Sequence, residues 1–101
     1  MARNPEMEIE NEDEKLLATD GEAARVFGVV AGARKTDVSQ VARSLNVDFA
    51  QALEKLRTLQ SAHLVESTDA PIPALKVFYL TEAGFRAQKR LDKARRNVAG
   101  H

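Results

Sequence analysis

The chain has 101 residues, 44% of them apolar and 30% charged, which supports one modest core and hence one domain. No apolar run approaches the roughly 20 residues of a membrane span, and the acidic start is not that of a secretory signal. With no cysteine there is no disulfide, zinc–thiolate site or thiol nucleophile, and a reducing cytoplasm is the expected setting. The net charge of zero hides a polarity: residues 1–14 sum to −5 and residues 85–101 to +5, an asymmetry that marks a nucleic-acid contact or a charged tail.

Residues 1–11 carry Pro5, few apolar side chains and dense negative charge, and read as a disordered acidic tail before a domain over 12–98. Thr19-Asp20-Gly21-Glu22 has the spacing of a capping box with Thr19 as the cap. Ala23, Val26, Phe27 and Val30 give one face of the helix that follows, and Gly32 suits its left-handed C-terminal position. Leu16 and Leu17 belong either to a preceding turn or to the same helix broken near Gly21.

A second helix starts at Thr36 or Asp37, with Val38, Val41, Ala42 and Leu45 recurring at the spacing of one face. It ends at Asn46, which tolerates positive φ. Asp48 is placed to cap the third helix with Gln51 as its capping-box partner, and Ala52, Leu56 and Leu59 line that helix to about Ala62. Leu64-Val65-Glu66 begins a strand whose partner is expected over Leu75–Leu80. Pro71 and Pro73 stiffen the loop between them and leave Ile72 exposed. Thr81 caps the last helix, expected over 82–97. Its apolar stripe is Ala83, Ala87, Leu91, Ala94 and Val98, and Arg86, Lys89, Arg90, Lys93 and Arg96 lie opposite.

Two helices across a four-residue turn, then a hairpin, is the organisation of a helix-turn-helix with a wing. The expected fold is therefore mainly α with a small antiparallel β-hairpin: three helices, a two-stranded wing and a C-terminal helix. In Ala62-His63-Leu64-Val65-Glu66 and Tyr79-Leu80-Thr81-Glu82-Ala83-Gly84 the chain resembles winged-helix transcription regulators of the MarR, PadR and ArsR type over about half its length. His63 stands where those families usually have glycine. The resemblance implies a homodimer joined through the terminal helices, and a recognition helix in the DNA major groove presenting Phe49, Ala50, Gln51, Glu54, Lys55, Arg57 and Thr58. Arg34, Lys35, Arg43, Lys55, Arg57 and Lys76 are then the phosphate contacts, and Gln51 and Arg57 the base readers.

A second reading competes. Asp48 and Glu54 against Lys55 and Arg57 leave the third helix without net charge, and it opens with Phe49. Phe49 and Leu53 either pack into the core or form an apolar patch for a protein partner. The basic face of the last helix (Arg86, Lys89, Arg90, Lys93) is either a solvated face or a contact for phosphate or an acidic partner, and residues 6–14 of the same chain could screen it. His63 and His101 have no second ligand at metal spacing, and neither a phosphate-binding glycine loop nor a nucleophile–base spacing occurs. No enzyme, cofactor or metal is expected.

Overall fold

The computed structural model describes residues 15–99, with side chains through residue 93, so the tail expected over 1–11 lies outside the described residues. Residues 15–19 are helical and form α1. There follow α2 (Gly21–Ala33), β1 (Lys35–Thr36), α3 (Val38–Leu45), α4 (Phe49–Ser61), β2 (Val65–Ser67), a 3-10 turn (Pro73–Leu75), β3 (Phe78–Leu80) and α5 (Glu82–Ala99).

A side-chain oxygen meets an otherwise unpartnered amide at the start of each helix from α2 on. Asp20 accepts from the Ala23 amide at 3.1 Å, Asp37 from Gln40 at 2.8 Å, Asp48 from Gln51 at 2.8 Å and Thr81 from Gly84 at 3.0 Å. Asp48 and Thr81 are the expected caps, although among the described residues the Gln51 side chain returns no bond to Asp48, and Asp37 caps α3 at one of the two residues expected to start that helix. Asp20 corrects the expectation for Thr19. Its hydroxyl donates to the Lys15 carbonyl inside α1 at 2.7 Å, and the cap falls one residue later on Asp20.

Three further expectations shift. Gly32 is not the left-handed residue: α2 runs through it, and the positive φ of 68° falls on Arg34. The pairing of Lys35 with Tyr79 dictates where the chain must turn, and that tertiary requirement overrides the preference of glycine. Thr36 lies in a strand rather than starting α3. Finally, the strand expected over Leu75–Leu80 is confined to Phe78–Leu80, because Pro73 nucleates a 3-10 turn through Leu75.

The sheet therefore has three antiparallel strands in the order β1-β3-β2, one more than expected. Thr36, Phe78 and Ser67 are in register, as are Lys35, Tyr79 and Glu66. Alternation sends Phe78 and Leu80 inward and leaves Tyr79 exposed between Lys35 and Glu66. The apolar stripes of α2, α3 and α4 converge on this inner face, and Val30, Val38, Val41, Leu56, Leu59 and Phe78 are fully buried. Ala87 of α5 joins the same core and Leu91 packs at its edge.

Candidate nucleic-acid interface

α4 is held on three sides. Its buried edge, Ala52, Leu56 and Leu59, packs against α2 and α3. At its C-terminal end the Gln60 amide donates to Glu66 at 2.8 Å, which ties the helix to β2. On its flank the Lys55 ammonium lies 2.8 Å from Asp20, the residue that caps α2. What is left facing solvent is Ala50, Glu54, Arg57 and Ser61, with Phe49 and Gln51 at the margins. These residues recur every three to four positions and so form one continuous strip along the helix.

The Asp20–Lys55 pair divides the work of one carboxylate. One oxygen caps the Ala23 amide and the other takes the Lys55 proton donor. The hydrogen bond from Lys55, aided by that from Ala23, holds the Asp20 carboxyl below the usual carboxylate range. The same bond raises the Lys55 ammonium above its ordinary value. Lys55 is thus turned from the outer strip toward α2, and the charges left on the centre of that strip are Glu54 and Arg57.

The other expected contacts are distributed as follows. Gln51 and Arg57 are exposed on α4, and Arg43 is exposed on α3. Thr58 is half-buried and its hydroxyl donates to the Glu54 carbonyl at 3.0 Å. Arg34 and Lys35 are exposed at the turn from α2 into β1, while Lys76 is half-buried beyond the 3-10 turn. Phe49 is 38% exposed, whereas Leu53 is half-buried against the core, so the two do not form one open patch. In the wing connection Ile72 and Leu75 are exposed. On α5, Lys89 and Lys93 are exposed, Arg90 is half-buried, and Arg86 lies 4.0 Å from Glu82 one turn earlier.

Sequence reasoning missed Asp20 as a partner of α4. The two residues are 35 positions apart, and Asp20 advertises only a helix cap. It also missed Tyr79, whose exposure follows from strand alternation once β1 is known to pair with β3. Beneath Gln51 a cavity of about 40 Å³ lies between Val26, Leu45, Val47 and Ala52. That is room for a water-sized occupant and not for a cofactor. Among the described residues no three His, Asp or Glu side chains gather as metal ligands, and no helix is long and apolar enough to cross a membrane.

No protein-family model matches the sequence, and no curated protein matches it. Solved structures do share the fold. The homodimeric winged helix-turn-helix DNA-binding domain of Mb0332 from Mycobacterium bovis superposes with a TM-score of 0.74 at 14% identity, covering 100% of this chain and 96% of that one. TubR bound to 24 bp of tubC, from Bacillus thuringiensis serovar israelensis, gives 0.69 at 13% identity, covering 93% and 98%. Lactococcus lactis ZitR gives 0.64 at 19% identity, covering 81% of this chain, which spans 56% of the ZitR chain. At these identities the likeness establishes the architecture, a winged helix-turn-helix.

Proposed function

We propose that this winged helix-turn-helix chain binds double-stranded DNA as a homodimer and acts as a transcriptional regulator. The observation that carries the reading is the exposed strip of α4. It stands on a helix fixed from three sides, offers Gln51 and Arg57 to solvent, and lies in a fold that matches, over 98% of its chain, TubR solved with 24 bp of tubC DNA bound. Gln51 has the amide geometry to pair with adenine, and Arg57 reaches a phosphate or guanine. Arg34, Lys35, Arg43 and Lys76 supply phosphate contacts that position the domain without reading sequence.

The dimer reading rests on the groove that α1, α2 and α5 leave open. Leu17, Ala24, Phe27, Gly28, Ala31 and Leu91 line it, and glycine and alanine there allow a second helix to approach closely. The homodimeric state of the Mb0332 domain supports this choice of occupant.

The test is titration of a labelled random duplex with the chain at about 50 and 200 mM salt, where counterion release makes affinity fall steeply for a DNA binder. Arg57→Ala is expected to weaken binding, and Gln51→Ala to reduce preference among sequences. Absence of binding at the lower salt, with or without residues 1–14, overturns the reading. The second reading, a protein-interaction module, is favoured by the exposure of Phe49 and the balanced charge of α4. It requires that Phe49→Ser abolish capture of a partner while DNA has no effect on the chain.

A further inference from the structure

Electrostatic attraction to DNA scales with the cations a protein brings to the phosphates, and α4 brings few. Lys55 is engaged by Asp20, and Glu54 faces out beside Arg57. The densest positive charge in the described structure lies instead on α5. Ala87 and Leu91 turn one side of this helix into the domain, whereas Lys89 and Lys93 sit one turn apart on the opposite side, both exposed. Arg86 continues that side, half-buried Arg90 lies on its flank toward the core, and exposed Phe85 is at its other edge. Among the described residues neither Lys89 nor Lys93 has an ion-pair partner. Lys89 and Lys93 repel one another at four-residue spacing, a cost that exposed Asp92 and the Glu82 beside Arg86 offset only in part and that an opposing polyanion would relieve further. From residue 86 to residue 93 it extends about 10 Å along the helix axis, against roughly one phosphate per 3.4 Å on each DNA strand.

We propose that the α5 stripe centred on Lys89 and Lys93 is a second DNA-binding surface, taking the sugar–phosphate backbone of double-stranded DNA outside the α4 contact. This rests on the DNA-binding reading above and assigns part of its salt-dependent affinity to a helix not in the helix-turn-helix. The surface reads charge rather than sequence, since lysine meets phosphate as a point charge. The apolar side of α5 stays available to the groove and the dimer.

Fluorescence anisotropy of the full chain on a labelled random duplex, over a salt series, tests it. The double variant Lys89→Gln/Lys93→Gln is compared with the wild type and with Arg57→Gln. Both lysines are exposed, so the variant is expected to unfold at the wild-type temperature, which circular dichroism checks. The expected result is that the slope of log K against log salt falls by about 1.8 for the double variant and about 0.9 for Arg57→Gln. The double variant should also weaken binding to every sequence alike. A wild type that binds and a double variant of unchanged slope overturn the α5 surface and leave the α4 reading standing. Tighter binding by the double variant also overturns it. A wild type that does not bind at low salt overturns both readings.

Discussion

At the scale of single residues, the junction between α4, β2 and α5 concentrates the backbone constraints. His63 sits at φ 63°, a left-handed conformation that costs a residue with a Cβ about 1–2 kcal/mol. It is held there because the Thr81 hydroxyl donates to its carbonyl at 2.5 Å and then accepts from the Gly84 amide. Glycine at 63 would remove the steric cost but adds chain entropy to the unfolded state, so His63→Gly is expected to stabilise by about 0.5–1 kcal/mol. Thermal unfolding should show a rise of a few degrees for a domain of this size; a fall would mean that the imidazole makes a contact of its own. Gly84 presents the opposite case. A Cβ there would overlap the Leu64 carbonyl oxygen, which is backbone and cannot swing aside. Gly84→Ala should therefore destabilise by about 1–3 kcal/mol, read as a lower melting temperature.

At the scale of elements, the Asp20–Lys55 pair links the start of α2 to the middle of α4. The Asp20 carboxyl is depressed by Lys55, so the pair's stabilisation is present above the ordinary carboxylate pKa of about 4 and is lost as pH falls from there through the lower folded value. Asp20→Asn keeps a side-chain oxygen for the cap but removes the charge. Its melting temperature should vary less than the wild type's between about pH 5 and pH 3, and equal variation would show that the pair does not couple to folding. Released from Asp20, Lys55 should also increase the salt slope of DNA binding by up to about 0.9.

The elements also show what could be read in advance. The stripes Val38/Val41 and Ala52/Leu56/Leu59, the turn at Asn46, the start of α3 near Asp37 and the caps at Asp48 and Thr81 all arise from local spacing and were legible. β1 was not, because two residues carry no periodicity and Lys35-Thr36 becomes a strand only when β3 arrives beside it. For the same reason Lys55 looked like an outward cation until the fold brought Asp20 to it. Charge patterns give residues, whereas tertiary contacts decide which charges remain available.

At the scale of the molecule, the fold separates three surfaces: the strip of α4, the groove between α1, α2 and α5, and the cationic side of α5. The groove is floored by buried Leu17 and Phe27 and edged by half-buried Ala24, Ala31 and Leu91, a disposition suited to a second copy. Sedimentation equilibrium at tens of micromolar chain is expected to give twice the monomer mass; a monomer at that concentration would contradict the terminal-helix interface. In the proposed dimer, a partner seated in the groove would leave the α4 strip of each copy uncovered.

The central claim, that α4 meets DNA through its exposed strip, is tested most directly by following backbone amide resonances as a random duplex is added at about 50 mM salt. Shifts are predicted at Ala50, Gln51, Glu54 and Arg57, fading as salt is raised toward about 200 mM in line with counterion release. Unperturbed α4 amides in the presence of saturating duplex would contradict it.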